Sequence, residues 1–248
     1  MIINGLFSAL RTLTIIPVLG PEPLRRVYAL PWFILAGALL GGLQGGLLFG
    51  MQYLPSSVGV LSGFFCTIFN YVITGGLHID GAGDTADALG TWHSREKTLE
   101  ILKDPHMGSF GTLAICGIFI WRVLIYQQMY QLHLYFWIIP ALIFSRNIQG
   151  ILLGTIPYAR PAGGKAAGFS CSRVMIVILF IEFLCVLAAL CYFAGPVRTG
   201  LPLGIAILMV ALLTMYAVKK LGGITGDIVG AATELFECTF LSLVLCPN

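Results

Sequence analysis

Long runs of apolar residues, each about as long as a membrane-crossing helix, make up most of this chain. A transmembrane helix needs about 20 mostly apolar residues, because the hydrocarbon core of a bilayer is about 30 Å thick. A helix also satisfies its own backbone hydrogen bonds where no water is present. The sequence predicts about seven spans, at residues 28–50, 58–76, 109–130, 134–156, 174–195, 200–218 and 228–246.

The composition agrees with a membrane protein. Hydrophobic residues make up 58% of the 248 positions and charged residues only 10%, whereas soluble proteins carry about 25% charged residues. We therefore predict an all-α, polytopic transmembrane bundle forming one domain over residues 1–248, with short amphipathic helices at the cytoplasmic surface. The net charge of +3 is too small to indicate nucleic acid binding. The scattered cysteines, without a CxxC pair, favour buried apolar side chains over a zinc site or disulfides.

The basic residues predict the orientation of the bundle, because Lys and Arg are enriched in cytoplasmic loops. With the N-terminus in the cytoplasm, the predicted outer turns hold only Arg198. The predicted inner side holds Arg11, Arg25, Arg26, Arg95, Lys97, Lys103, Arg160, Lys165, Arg173, Lys219 and Lys220. We predict a multi-pass protein of the cell (inner) membrane whose functional face is turned to the cytoplasm.

Three aspartates lie close together in the segment GGLHIDGAGDTADALG. Asp80, Asp84 and Asp87 are spaced i, i+4, i+7, which places them on one helical face. At about 6 Å and an effective dielectric near 20, each neighbouring pair repels by about 3 kcal/mol before screening. Magnesium or manganese would offset this repulsion, since both prefer hard oxygen ligands. A solvated acidic loop is the alternative. Asp104, before Pro105, is a candidate fourth ligand because a helix C-terminus disfavours an anion.

A second polar segment, KKLGGITGDIVGAATELFE, precedes and begins the last apolar run. Its glycines and Thr225 lead into a helix N-terminus, which suits an anion. Asp227 there is either an N-cap or part of a metal site. Arg160 and Lys165, in IPYARPAGGKAAGF, add cations for phosphates on the same predicted side. We predict one pyrophosphate–metal site built from the two distant acidic segments.

Two arginines, Arg122 and Arg146, fall within predicted spans, where a charge needs a partner. Glu182 is the predicted partner of one of them. Arg146, nearer the cytoplasmic half, could alternatively contact a phosphate. His78, beside Asp80, is either a substrate contact or a structural histidine.

These motifs resemble those of the cobalamin synthase family, the adenosylcobinamide-GDP ribazoletransferases. The similarity rests on RTLTIIPV, GGLHIDGAGDTADAL, REKTLEILKDPHMGSFG, the Tyr-Ala-Arg of IPYARP and GGITGDIVGAATELFE. The resemblance implies a magnesium-dependent membrane enzyme of the last step in cobalamin nucleotide-loop assembly. Such an enzyme joins adenosylcobinamide-GDP to α-ribazole, or to its 5′-phosphate, and releases GMP. Its expected partners are these small molecules and the lipid bilayer, and a homo-oligomer stays open.

The resemblance also supplies positions for functional residues. The metal-binding candidates are Asp80, Asp84, Asp87 and Asp104, and the catalytic candidates are His78, Asp84 and Asp227. The resemblance also implies Lys103, Arg160, Thr225 and Gly226 as substrate-binding candidates, and the charge and predicted location of Arg146 and Lys165 add these two to the set. The chain departs from the family pattern at Ala82-Gly83, where Leu-Ala is usual, and at Ala88, where glycine is usual. These departures leave the acids intact.

Two other functions fit parts of the pattern. A membrane transferase that uses CDP-alcohols or prenyl diphosphates would also place aspartates at the membrane surface, although with a different spacing. A cation-coupled transporter would require acids near the middle of the membrane, where the sequence predicts only Glu182.

Overall fold

The computed structural model describes residues 2–20, 25–90, 93–160, 169 and 171–246. Within these residues the chain is helical and contains no β-strand beyond one isolated bridge. The helices are α1 (Ile2–Leu13), α2 (Phe33–Met51), α3 (Ser56–Gly59), α4 (Ser62–Ile73), α5 (Leu77–Leu89), α6 (Arg95–Ile101), α7 (Ser109–Gln131), α8 (Ile138–Thr155), α9 (Arg173–Ala194), α10 (Pro196–Leu221) and α11 (Gly226–Val244). Two 3₁₀ segments, Arg26–Trp32 and Tyr135–Trp137, lead directly into α2 and α8. The predicted all-α class is confirmed.

Five helical segments of the described chain are long and apolar enough to cross a membrane. They are Arg26–Met51, Ser109–Gln131, Tyr135–Thr155, Arg173–Ala194 and Pro196–Leu221. Each corresponds to one of the predicted spans, which supports a membrane protein. The other two predicted spans, 58–76 and 228–246, do not meet the requirements for a spanning segment, because α4 has only 12 residues and α11 carries three acidic residues.

The predicted span at 58–76 ends early, at a turn made by two glycines. Helix α4 ends at Ile73, and Gly75 and Gly76 adopt φ angles of 62° and 66°. Glycine populates this left-handed region without the steric penalty of a side chain. The chain then enters α5, so the three aspartates lie on a helix, as their spacing predicts, and the alternative of an acidic loop is wrong.

The last predicted span corresponds to α11, the central helix of the bundle. Helix α11 packs against α5, α7, α8 and α10, and most of its residues are buried. Since protein surrounds it, α11 does not need a uniformly apolar surface and can carry buried charges. The peripheral helix α9 differs, because Leu179 is its one fully buried residue and the rest of its surface is largely apolar and exposed.

Glycines also allow a close contact between α2 and α8. A Cβ atom on Gly37 would lie 2.5 Å from the carbonyl oxygen of Leu142, and one on Gly41 would lie 2.7 Å from Cα of Ile139. Only glycine permits this approach of two backbones, as is common between membrane helices. Helix α8 is thereby held antiparallel to α2.

One end of the bundle collects the polar connections, and we call it the charged end. It consists of residues 95–108, 156–160 and 221–227, together with residues 80–89 of α5. The short helix α6 lies here, and α1 packs on the 3₁₀ segment that leads into α2. The fold therefore carries both acidic segments of the sequence to the same end.

Candidate active site

Two distant stretches of the chain pair with each other at the charged end. The amide of Ala159 donates to the carbonyl of Ile224 at 2.9 Å, and the amide of Ile224 donates to the carbonyl of Pro157 at 3.0 Å. These bonds form a parallel bridge between Tyr158 and Ile224. The IPYAR and GGITGD motifs are therefore joined through their backbones.

This pairing positions the carboxylate of Asp227 in the first turn of α11. Its Oδ2 accepts a hydrogen bond from Thr225 Oγ1 at 3.1 Å and from Arg160 Nη2 at 3.0 Å. The N-cap is Thr225, whose hydroxyl accepts from the amide of Ile228 at 3.4 Å. The alternative that Asp227 serves only as the N-cap is therefore wrong. Thr225 is fully buried, and Gly226 follows it as the first residue of the helix.

Glycines bring α5 against α11 and the two acidic segments together. A Cβ atom on Gly81 would lie 2.9 Å from Cα of Asp227, and one on Gly230 would lie 3.2 Å from Cα of His78. Glycine is therefore required at these two positions because the backbone of the other helix lies so close. As a consequence, Asp84 faces the start of α11.

The carboxylates at this crossing act on one another. Burial, together with the negative charges of Asp80, Asp227 and Asp87, raises the pKa of Asp84 to about 6, and the positive charge of Arg160 opposes this shift. Asp80 is exposed and Asp84 is partly buried. The acids predicted from two distant segments thus share one electrostatic environment.

Asp87 caps the start of α7. Its Oδ2 accepts from the amide of Gly108 at 2.7 Å, and its Oδ1 accepts from the amide of Gly111 at 2.8 Å. The positive end of a helix dipole stabilises such an anion. The two glycines leave room for the carboxylate, since a Cβ on Gly108 would lie 2.5 Å from Asp87 Oδ1. Asp87 therefore has a structural role that its spacing alone did not predict.

The structure places Asp104 in a turn with His106. Its Oδ1 accepts from the amide of His106 at 2.9 Å and lies 2.7 Å from the imidazole Nδ1. These hydrogen bonds lower the pKa of Asp104. The neighbouring Lys103 side chain is exposed. The carbonyl of the preceding residue, Leu102, accepts a hydrogen bond from Arg160 Nη2 at 2.8 Å.

The donor chemistry of the site suits a magnesium ion, although the ligands are not arranged around one point. Among the described residues, no group of three or more His, Cys, Asp or Glu side chains is placed to hold a metal. Magnesium is commonly bound through one or two carboxylates, with water and substrate phosphates completing its shell. Asp80 and Asp84, with Asp227 opposite, offer such carboxylates, and their repulsion would fall when a cation binds.

Two residues that the sequence assigned to the site, His78 and Arg146, are buried inside the bundle and do not lie beside the exposed aspartates. His78 is only 3% exposed, and its Nε2 lies 3.3 Å from Gln149 Nε2. Arg146 is 1% exposed, and its Nη1 pairs with Glu237 Oε1 at 2.9 Å. Arg146 therefore neutralises a buried acid in this structure, in place of the predicted phosphate contact.

The predicted partner of the buried arginines is corrected as well. Arg122 pairs with Glu234 and with Glu237, the latter at 3.0 Å, while Glu182 accepts from Asn147 Nδ2 at 3.3 Å. The acids of α11 reach Arg122 because α11 is central, whereas Glu182 lies on peripheral α9. The i, i+3 spacing of the two glutamates in ELFE was the available sequence signal.

Sequence reasoning missed the role of Arg95 altogether. Its Nε donates to the carbonyl of Leu221 at 2.7 Å, and its Nη2 donates to the carbonyl of Ala159 at 3.2 Å. Arg95 thus ties α6 to the two paired stretches. No sequence pattern reveals acceptors that are backbone carbonyls. Lys165 lies outside the described residues.

Comparison with known proteins bears on this arrangement. A family model described as cobalamin-5-phosphate synthase matches residues 5–245. A protein of Chlorobium phaeobacteroides is 35% identical over 241 residues, covering 94% of both chains. One of Chlorobaculum parvum is 32% identical over 252 residues, covering 95% of this chain and 92% of its own. One of Clostridium botulinum is 33% identical over 213 residues, covering 84% and 82%.

All three relatives are named adenosylcobinamide-GDP ribazoletransferase. No solved structure matches the chain. The family match extends over nearly the whole sequence, from before the first span to the end of the central helix α11. The chain belongs to the cobalamin-5-phosphate synthase family.

Proposed function

We propose that this protein transfers the cobinamide phosphate of adenosylcobinamide-GDP to α-ribazole, or to its 5′-phosphate, and releases GMP. This reaction is the final step of cobalamin nucleotide-loop assembly. Its main structural support is the contact between Arg160 and Asp227 beside Asp84, which joins a cation for phosphates to a group of carboxylates. Family membership and the shared name of the relatives support the same activity.

The reaction needs charge neutralisation more than a covalent nucleophile. A ribose hydroxyl attacks the phosphorus that carries the cobinamide arm, and the bond from that phosphorus to the GMP oxygen breaks. Magnesium, when bound, would supply positive charge for the diphosphate. Asp80 and Asp84 are the proposed main ligands, with Asp227 opposite them and Asp87 behind them. Asp104 is the least supported of the proposed ligands, because His106 holds its carboxylate.

Arg160 is the best-placed phosphate contact. Its Nη2 is engaged by Asp227 and by a backbone carbonyl, but its buried Nε has no hydrogen-bond partner among the described residues. A buried donor without a partner is unusual in a folded protein, so a phosphate oxygen is a fitting acceptor. Lys103, exposed nearby, and Lys165 would add positive charge for the substrate.

We further propose that the charged end faces the cytoplasm. The basic residues at this end follow the usual enrichment of Lys and Arg on that side of a membrane. A cytoplasmic site would also have direct access to nucleotide substrates and to magnesium. The bundle would then be a multi-pass protein of the cell (inner) membrane.

A transporter is less well supported by the fold. The structure does bury two acids, Glu234 and Glu237, which the sequence placed at the membrane surface. However, Arg122 and Arg146 pair with them, so the buried charges balance among themselves. A transferase acting on CDP-alcohols or prenyl diphosphates would use the same acids, and substrate choice separates it from our proposal.

The test is a direct assay. Purified protein in lipid is given adenosylcobinamide-GDP and α-ribazole, with magnesium or with a chelator, and GMP and the completed corrinoid are measured. We expect product only with magnesium and with both substrates. A chain that forms no product, or forms it equally well with the chelator, would refute the proposal. CDP-alcohol and prenyl diphosphate controls should give nothing.

A further inference from the structure

A groove of about 330 Å³ lies on the side of α5 away from the aspartates. Helices α7 and α10 form its walls, and α5 and α11 form its floor. The floor carries small side chains, Ala82, Ala86 and Ala231, while Trp121 and Tyr216 stand in the walls. At 100° per residue, Ala82 and Ala86 point away from the aspartate face. The groove is therefore separate from the candidate active site.

The groove opens sideways, toward the surface that faces lipid. Both of its walls belong to segments long and apolar enough to cross a membrane. Trp121 and Tyr216 are 36% and 43% exposed, and Leu124 and Leu212 beside them on the same helices are 60% and 54% exposed. Exposed apolar side chains of spanning helices contact lipid hydrocarbon, so the groove continues the lipid-contacting surface inward.

One polar group in the groove has no partner. Thr85 is 4% exposed, and its buried hydroxyl has no hydrogen-bond partner among the described residues. Other buried threonines in the helices donate to the carbonyl four residues earlier, namely Thr67, Thr74, Thr214 and Thr233. Because buried hydroxyls are normally satisfied, Thr85 indicates a missing acceptor. An apolar groove with one such donor suits an amphiphile.

We propose that this groove binds one acyl chain of a membrane phospholipid, with the ester carbonyl of that chain accepting a hydrogen bond from Thr85. The hydrocarbon would run from Thr85 past Ala82 toward Trp121, deeper in the bundle. Above the rim, Lys220 Nζ lies 5.9 Å from the centre of the Tyr216 ring, next to the charged end in the sequence. A cation at that height matches the position of the lipid phosphate. The ligand therefore comes from the bilayer.

Native mass spectrometry of the detergent-purified full chain tests the proposal by counting retained phospholipids. Wild type should keep one phospholipid after delipidation, and Ala86→Phe, which fills the floor of the groove, should lose it. The matched control is Gly46→Phe on α2, where an added side chain meets open space, and it should keep the lipid. Thr85→Val keeps the side-chain shape and should weaken retention about fivefold, the effect of one net hydrogen bond.

Tryptophan quenching locates the bound chain. The purified protein is titrated with phosphatidylcholine brominated on one acyl chain, and the Trp121 signal is taken as wild type minus Trp121→Phe. We expect saturable quenching that Ala86→Phe abolishes and Gly46→Phe preserves. Quenching that rises linearly and equally in all variants, or equal lipid retention by wild type, Ala86→Phe and Thr85→Val, would overturn the proposal. Neither readout requires enzyme activity.

Discussion

The protein holds its charges in two regions that differ in balance. Inside the bundle, Arg122 and Arg146 face Glu234 and Glu237, so two positive charges meet two negative ones. At the charged end, the carboxylates of Asp80, Asp87 and Asp227 act on Asp84, and Arg160, paired with Asp227, opposes them. The balanced group is buried and holds helices together. The unbalanced group is accessible and is suited to bind a cation with an anionic substrate.

The stability of the protein should depend strongly on the buried group, because no water solvates an unpaired charge inside the bundle. Removing one partner of a buried ion pair typically costs about 3–5 kcal/mol, since the other charge is left uncompensated. The charged end differs, because removing an acid there relieves repulsion. Four predictions test this difference, from the largest expected effect to the smallest.

The largest effect is expected from Glu237→Gln, which leaves two buried arginines with one acid. We expect a loss of stability of about 3–5 kcal/mol, measured by thermal unfolding in detergent or by the yield of inserted protein. Arg173→Gln, at an exposed position at the start of α9, is the control and should change stability little. Equal melting temperatures for the two variants would show that the buried group does not hold the bundle.

Asp84→Asn should abolish turnover without unfolding the protein. The amide keeps the shape of the side chain but removes the charge at the centre of the proposed metal site. We expect kcat to fall by at least about 100-fold, the scale of losing one main electrostatic group, with no loss of thermal stability. Asp104→Asn is the comparison and should lose less than about threefold. Near-normal turnover by Asp84→Asn would remove Asp84 from the site.

Arg160→Lys should weaken substrate binding more than chemistry. A lysine keeps the charge but cannot bond Asp227, the Leu102 carbonyl and a phosphate together, because its donors lie on one atom. We expect KM for adenosylcobinamide-GDP to rise about 10-fold, corresponding to about 1.4 kcal/mol. Steady-state kinetics at saturating magnesium measure it. An unchanged KM would exclude Arg160 as a phosphate contact.

The smallest effect concerns pH and stability. The pKa of Asp84 is raised to about 6, so the folded protein binds that proton more tightly than the unfolded chain. The contribution of Asp84 to stability is therefore present at low pH and is lost as pH rises through about 6. Asp84→Asn should be more stable than wild type near pH 8 by a few degrees in melting temperature. The gain should vanish near pH 4.

Repeating these melting-temperature measurements with magnesium provides a check, because magnesium should stabilise the protein only when Asp84 is ionised. Adding magnesium near pH 8 should stabilise wild type and narrow its difference from Asp84→Asn. Below about pH 6 the effect of magnesium on wild type should weaken, since a metal binds the deprotonated carboxylate. A stability difference that does not change with pH would mean that neither burial nor the neighbouring carboxylates disfavour the charge of Asp84.

The sequence predicted correctly those features that depend on local spacing along the chain. The i, i+4, i+7 spacing of Asp80, Asp84 and Asp87 predicted one helical face, and α5 provides it. It failed where partners are chosen by three-dimensional proximity. Glu182 was paired with an arginine because both are intramembrane charges, yet the central position of α11 puts Glu234 and Glu237 nearer.

The predicted membrane spans also show that the sequence does not reveal how segments pack in three dimensions. Residues 58–76 read as one apolar run, but Gly75 and Gly76 turn the chain and α5 begins inside the bundle. Residues 228–246 read as a membrane span, but α11 carries three acidic residues and other helices surround it. Hydropathy measures how apolar a segment is and does not say whether lipid or protein covers it.

By itself, the sequence determined that this protein is a helical membrane bundle, that its acids cluster in two segments and that its motifs match one enzyme family. Those features depend on composition and local spacing, which the chain carries directly. Only the tertiary structure decided that Asp227 meets Asp84 and Arg160, that Asp87 caps α7 and that Arg146 turns inward to Glu237. Such contacts join residues far apart in the chain, and they depend on helix packing that local periodicity does not encode.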